Sequence, residues 1–483
     1  MRRTAQTGTA LAALMAIGLS VAPALAQGRL LLYPHPAEGE WMGIYLLGHK
    51  AGYSFTKVTE GREHGAPVVV AVEDTTLHAK LGGASVSRRV LEERSYEARP
   101  RGRLVRFHSV HQGDGGDETL DAVCDAKGVH AIRRRPGQPD EKLELPPTED
   151  RVENADLEAR VAFGKKTVAA KLFDSSELRD KDEEVEFAGE GELVAGGVAT
   201  KVLRVRVREE QGKLAAEAAL DPASGRVLRL EFGGALRAVP EPEAVAKKLD
   251  TVDLFALTRV AVDRPLPLGK VPETVRYRVT GLPEALRLAP ERQSYRALPG
   301  GAVELTVRAL LPSHAAKRPE RAPAKYLEST ASIESGAPAI AALSRRIVGE
   351  NRDALSAAQR ISAWVFGHVH SAYGVSSDRA TDVLRRREGD CTEHSLLFVA
   401  LARAAGIPAR LVHGLVYAQG SDGALGLYWH EWAEAWTGEW VALDPTFGQP
   451  IADATHLELG EGNETDAVAL MGQLKISVLG EEP

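Results

Sequence analysis

Cysteine is scarce in this chain: among 483 residues there are two, Cys124 and Cys391. Two cysteines exclude a disulfide-stapled scaffold and a four-cysteine zinc site. No excess of positive charge exists either. Lys plus Arg number 60 against 67 for Asp plus Glu, a net charge of −7, so nothing in the charge balance recommends nucleic acid as a partner. Long apolar runs are missing beyond the first residues: Ser395 to Ile407 is shorter than the ~20 residues a membrane span needs and contains Arg403. Aromatic residues make up only 5% of the chain, so any local cluster of them stands out. With 44% hydrophobic and 26% charged residues, the composition is that of a globular protein. At ~100–200 residues per domain it implies about two to four domains.

The first 26 residues read as a secretory signal peptide. Arg2 and Arg3 supply the positive start, Ala10 to Ala22 the apolar stretch, and Ala24-Leu25-Ala26 a small-residue cleavage site before Gln27. An uncleaved anchor is the alternative, disfavoured by the shortness of the apolar stretch. No cysteine follows the cleavage site, so no lipid anchor is expected there. The mature chain is expected to be periplasmic or secreted, cleaved after Ala26, with no further transmembrane segment.

Residues 27–250 read as a β-rich antiparallel domain. Trp41 to Leu47 and Lys50 to Val58 flank Gly48-His49 as a hairpin, and Ala84 to Ala98, Arg103 to His111, Val129 to Arg134, Val185 to Phe187 and Lys201 to Val207 are further strand-like runs. In the last, Leu203, Val205 and Val207 alternate with Val202, Arg204, Arg206 and Arg208, giving one wet and one dry face. His108 and His111 are read as surface histidines. Glu241 to Lys248 reads as a short closing helix, and residues 251–318 as a small β-domain or bridging sheet. A Pro- and Lys/Arg-rich linker, Pro312 to Lys325, overlaps the start of the last domain, 319–483.

Here the pattern changes to helical. Ile340, Leu343 and Ile347 share a face, as do Leu355, Ala358, Ile361 and Val365 behind Asp353. Asp382 to Arg387 suggests a helical turn. A helix apolar on nearly every side starts at Cys391 and stops before Gly406 and Pro408; it should be central and buried. Strands follow over Ala409–Tyr417, Leu427–Trp436 and Glu439–Asp444. The expected fold class is α+β, helices on an antiparallel sheet preceded by β-rich sequence.

The chemistry concentrates between residues 391 and 444. Cys391 stands in the first turn of the buried helix, where unpaired backbone N–H groups and the helix dipole favour a thiolate and could hold an oxyanion. His430 lies on a strand with Trp432, Glu434 and Trp436 on its face. Asp444, forced into extended backbone by Pro445, ends the next strand. A hairpin around Thr437-Gly438 would let Asp444 meet His430 across the ladder. Nucleophile, base and orienting carboxylate are then all present. Four of the six tryptophans, Trp429, Trp432, Trp436 and Trp440, fall in this stretch; beside one histidine they would exclude water, though plain strand packing explains each singly. Three other readings compete: a Cys124–Cys391 disulfide, a zinc site from Cys391, His394, His368 and His370, and an ordinary buried His430. The absence of a second nearby cysteine weighs against zinc.

These segments resemble the bacterial transglutaminase-like superfamily. The resemblance rests on Ala380-Thr381-Asp382-Val383-Leu384 with Gly389-Asp390-Cys391-Thr392-Glu393-His394, on Arg403 to Arg410, on His430-Glu431-Trp432-Ala433-Glu434 and on Leu443-Asp444-Pro445-Thr446. It covers roughly residues 325–450. His430 follows Cys391 by 39 residues and Asp444 follows His430 by 14, unlike papain-type enzymes, whose histidine lies ~130–150 residues beyond the cysteine. The resemblance implies an α+β core with Cys391 as nucleophile, His430 as base and acid, and Asp444 as orienter. Tyr373 is a candidate for the additional oxyanion donor such enzymes use. It implies no metal and no cofactor. The expected activity is acyl transfer at amide bonds through a thioester, hydrolysis slightly favoured over cross-linking, on a protein or peptide substrate, possibly of the cell envelope. A non-catalytic scaffold binding an envelope or extracellular partner is the rival from another class, and a zinc-dependent hydrolase a further one.

Overall fold

The structure is a computed structural model; it describes residues 30–31, 35–81, 84–113, 117–208, 214–251, 253–266, 272–288, 291–310, 324–372, 379–461 and 470–482. The signal-peptide reading, most of the linker reading and Tyr373 lie outside these residues. Strand outweighs helix, 50% against 20%. Two compact units result, one drawn from Leu14–His78 and Ser87–Val252, the other from Asp253–Pro483 with Ala79–Val86. Among the described residues no helix is long and apolar enough to cross a membrane.

The first unit is dominated by a fourteen-stranded sheet, β1 (Glu40–Leu46) to β14 (Leu236–Pro240). Its strands run in chain order outward from a β1–β14 contact, with β8 (Glu141–Leu145) and β9 (Thr167–Asp174) at the two ends. The expected first hairpin forms between β1 and β2 (His49–Glu63). Its two turn residues, Leu47 and Gly48, have φ of 48° and 92°, and two positive φ values give the turn a twist that matches paired strands. In β11 (Val198–Arg208), Leu203, Val205 and Val207 are buried and Arg204 is exposed, as alternation requires. Val202 departs from it and is buried too. The Val185–Phe187 run is the middle of a much longer strand, β10 (Arg179–Ala195). Its charged start looks unlike a strand, but cross-strand pairs such as Lys181–Asp174 at 2.7 Å satisfy it on the sheet surface. Two further corrections concern helices. α1 (Leu157–Gly164) was not foreseen, and the expected Glu241–Lys248 helix is a single turn, α2 (Glu243–Ala246), begun after Pro242.

In the second unit, α3 (Leu254–Thr258) is capped by the Asp253 carboxylate. A four-stranded sheet has the order β16 (Gln293–Ala297), β17 (Val303–Arg308), β15 (Thr274–Thr280), β24 (Lys475–Glu482). Next come α4 (Pro338–Val348), α5 (Ala354–His368), α6 (Ala380–Arg386) and α7 (Cys391–Ala404). Two-residue strands β18 (His370–Ser371) and β19 (Glu388–Gly389) pair in parallel just ahead of α7. The other sheet has the order β22 (Trp440–Leu443), β21 (Leu425–Trp436), β20 (Ala409–Gln419), β23 (His456–Glu461). α7 is central, as its composition demands. Leu396 to Ala402 pack with Ile340, Leu343, Ile361 and Val365 of α4 and α5 on one side and with Ala433, Ala435, Val441 and Leu443 of the sheet on the other. Ser344 Oγ donates to the Leu401 carbonyl at 2.8 Å. Such a core stabilises at about 25 cal/mol per Å² of apolar surface removed from water.

Asp353 caps α5 by accepting from the Ser356 N–H at 2.6 Å. Asp353→Ala should therefore cost about 1 kcal/mol. Tryptophan fluorescence during urea unfolding checks this, since five of the six tryptophans lie in the second unit; an unchanged midpoint would refute the cap.

Candidate active site

α7 starts with a reciprocal cap. The Asp390 carboxylate accepts from the Thr392 N–H at 3.0 Å, and Glu393 Oε2 accepts from the Asp390 N–H at 2.9 Å. This fixes the register of the first turn and places Cys391 at its head, fully buried. Ser395, one turn later, donates from Oγ to the Glu431 carbonyl at 3.2 Å. That bond ties the start of α7 to β21 beside His430. Burial pushes the Asp390 carboxyl up, while the Thr392 N–H and the nearby His394 and His430 pull it down.

The expected hairpin is present. β21 and β22 pair with Trp436 opposite Trp440 and Ala433 opposite Leu443. Gly414 of β20 stands opposite His430 and must be small: a Cβ there would lie 1.9 Å from the Leu457 carbonyl oxygen and 3.0 Å from the Trp432 ring. Asp444, one residue past β22, meets His430: Nε2 to Oδ2 is 2.8 Å, both side chains fully buried. The Thr446 and Phe447 N–H groups donate to Asp444 Oδ1 at 2.7 and 2.9 Å. His456 Nε2 reaches Oδ2 at 3.0 Å. Burial alone would raise this carboxyl, but His430 and His456 outweigh it and hold it far below the usual carboxylate range.

The structure thus puts His430 and Asp444 in direct contact, and the Ser395–Glu431 bond sets the helix that begins at Cys391 against the strand that carries His430. The ring stacked closest on His430 is Phe447, with centroids 4.7 Å apart and planes at 9°. Trp432 lies beside it at 6.2 Å. The other tryptophans correct the expected cluster: Trp436 and Trp440 pack edge-on against each other, with Arg410 over Trp440 at 4.4 Å. Trp429, an odd neighbour of His430 on β21, points to the opposite face by alternation. Arg410 itself forks onto Glu434 Oε2 at 2.9 and 2.7 Å and reaches Glu461 at 2.6 Å.

Neither cysteine is in a disulfide. Burial pushes the Cys124 thiol up to about 12. The histidines of the zinc reading do not converge on Cys391. His394 faces the Asp390 and Val369 carbonyls at 2.6 and 3.1 Å, and His368 stacks on Trp364 with Nδ1 2.8 Å from its carbonyl. Among the described residues, one group brings three ligand-type atoms within 4.8 Å: His430, Asp444 and His456. Both ring nitrogens there address a single oxygen at hydrogen-bond distance, the arrangement of two donors on one acceptor.

Sequence reasoning missed His456 and Phe447. His456 and Glu458 alternate with Leu457 and Leu459, which reads as a strand with its polar face in water. β23 is instead buried along its first five residues on both faces.

Residues 341–445 match the Transglutaminase-like superfamily core. An uncharacterized protein of Mycobacterium leprae (strain TN) is 31% identical over 140 residues, 28% of this chain; the chain spans about half, 49%, of that relative. Solved structures with local likeness include a Putative Cysteine Protease from Cytophaga hutchinsonii (TM-score 0.28, 17% identity, 42% of this chain and 83% of that one). Another is a beta-barrel-like protein of a domain of unknown function, DUF1849, from Brucella abortus (0.30, 13%, 43% and 97%). The matched residues lie within the second unit.

The depressed Asp444 carboxyl makes a signed prediction. A group ionised more easily in the folded state stabilises it above its unfolded pKa of ~3.9, and that contribution is lost as pH falls toward the folded value. The gap in thermal midpoint between parent and Asp444→Asn should be full above about pH 4 and shrink in more acid buffer. A gap independent of pH would contradict the ionised, hydrogen-bonded Asp444.

Proposed function

We propose that this chain is an exported, cysteine-dependent acyl-transfer enzyme acting on amide bonds, either a peptide bond or a glutamine side chain, with hydrolysis slightly favoured over cross-linking. The observation that carries the reading is the buried 2.8 Å contact of His430 Nε2 with Asp444 Oδ2 beside the helix start that presents Cys391. The match of residues 341–445 supports the reaction class. Export rests on Arg2, Arg3 and the Ala24-Leu25-Ala26 site.

With Nε2–H donating to Asp444, the neutral ring carries its lone pair on Nδ1. Nδ1 is then the nitrogen that takes the Cys391 Sγ proton. The thiolate attacks the amide carbonyl, forming a C–S bond as the carbonyl π electrons move to oxygen. The Cys391 backbone N–H at the start of α7 is the candidate donor to that oxyanion. As it collapses, the C–N bond breaks and the Nδ1 proton goes to the leaving amine or ammonia. The thioester is cleared by water, with His430 as base again, or by an amine. Phe447 and Trp432 keep the ring orientation and exclude water.

Alkylation of Cys391 by iodoacetamide should remain fast well below the ~8.5 of an ordinary thiol, with Cys124 unmodified in the native protein. His430→Ala should move the rate profile to higher pH and reduce amide turnover by roughly 10³-fold or more. Asp444→Ala should be worse than Asp444→Asn, which keeps an acceptor for the ring. The assay offers a peptide library with a labelled amine and follows chain cleavage, ammonia and label. An ordinary thiol curve, unaltered by His430→Ala, would overturn the reading.

A further inference from the structure

Besides His430, a second buried titratable ring, His456, meets the Asp444 carboxylate at the same oxygen. It opens β23 and is 0% exposed. Nε2 lies 3.0 Å from Asp444 Oδ2, and Nδ1 lies 3.1 Å from Asp453 Oδ1. A neutral imidazole has one N–H and one lone pair. In either tautomer, one carboxylate would face that lone pair. The imidazolium alone gives both carboxylates a donor.

The surroundings favour the charged form. Burial opposes it, but Asp444 and Asp453 outweigh burial and bind the His456 proton more tightly than in an ordinary histidine. Three further donors to Asp453 are neutral, the Thr455 N–H at 2.9 Å, the Thr455 hydroxyl at 2.5 Å and the Gln449 amide at 3.0 Å, and the buried Arg292 guanidinium interacts with it electrostatically. Three rings also lie near His456: Trp432 edge-on at 5.2 Å, His430 at 5.9 Å and Phe447 at 6.4 Å. Arg292, which precedes β16, donates from Nη2 to the Asp453 carbonyl at 2.6 Å. Glu458 is the other titratable group on the same face of β23, and burial together with Glu434 pushes its carboxyl well up, toward the neutral form.

We propose that His456 is a positioning residue for His430: a standing imidazolium that bridges Asp444 and Asp453, locks Asp444 Oδ2 onto His430 Nε2 and cancels one of the two buried negative charges behind the base. Asp444, His456 and Asp453 together then carry one negative charge, the same as a lone aspartate. With a neutral residue at 456, His430 faces two carboxylates in a low-dielectric site and holds its proton more tightly. A base that holds its proton more tightly passes it less readily to the leaving group. The catalytic importance of this bridge rests on the proposed function; the charge state of His456 rests on geometry alone.

The test is nitrogen NMR of the full chain labelled with ¹⁵N-histidine, for the parent, His456→Gln and Asp453→Asn. In the parent, both ring nitrogens of His456 should carry protons at pH 7 and above. In His456→Gln, proton binding at His430 should tighten roughly tenfold, seen as a titration midpoint about one pH unit higher. In Asp453→Asn, His456 should release its proton at lower pH than in the parent. A parent His456 with a single ring proton at pH 7 overturns the proposal. So does an unmoved His430 midpoint in a His456→Gln protein with parental circular dichroism. If His456→Gln does not fold, Asp453→Asn decides: an unchanged His456 midpoint refutes the bridge. Neither readout uses turnover. Inactive protein that shows these shifts refutes the proposed function and keeps the bridge, while active protein without them refutes the bridge.

Discussion

The buried carboxylate of Asp444 is the constraint around which the second unit is organised. Both oxygens are fully used: Oδ1 by the N–H groups of Thr446 and Phe447, Oδ2 by the rings of His430 and His456. These donors come from β21, from the turn after β22 and from β23. One side chain therefore fixes the end of a hairpin, the conformation of the turn and the placement of an edge strand. An ionised carboxylate without such donors would be too costly to bury. With them, the interaction is short and directional, and much stronger than at the surface.

That anchorage has a counterpart on the helical side. The reciprocal Asp390–Glu393 cap sets where α7 begins, and Ser395 binds the backbone of β21. The apolar body of α7 supplies the driving force, and the polar contacts at its start supply the register. Position and chemistry are separated in this way: apolar residues hold the helix against the sheet, while a few buried hydrogen bonds decide which residues face each other at its tip. The same division holds around Arg410, which forks onto its cross-strand partner Glu434 with the Trp440 ring 4.4 Å from its guanidinium.

Much of this was legible in the residues. The α7 boundaries followed from its apolar run, Leu396 to Ala402, between Asp390 and the Gly406–Pro408 stop. Asp353 announced the start of α5. The β21–β22 hairpin followed from alternation across Thr437–Gly438, and with it the meeting of His430 and Asp444. Legibility failed where a strand lacks an amphipathic pattern. The charged first half of β10 becomes a strand because neighbouring strands offer cross-strand partners, and β23 hides a polar face inside the unit. The Trp cluster misled because nearness in sequence along a hairpin spreads side chains over two faces and its whole length.

What the sequence determined by itself is local: helix ends set by capping and glycine, strand faces set by a period of two, and the residue types able to form a nucleophile, base and orienting carboxylate. Only the tertiary structure decided which additional groups surround that set. His456 reaches Asp444, with Asp453 on its other ring nitrogen, because β23 pairs with β20 at the opposite edge of the sheet from β22, and Phe447 reaches His430 because the Asp444 turn folds its N–H groups back onto the carboxylate. Strand order and turn closure depend on long-range pairing, where burial and hydrogen bonding outweigh local preference. No short-range pattern in the chain encodes that choice.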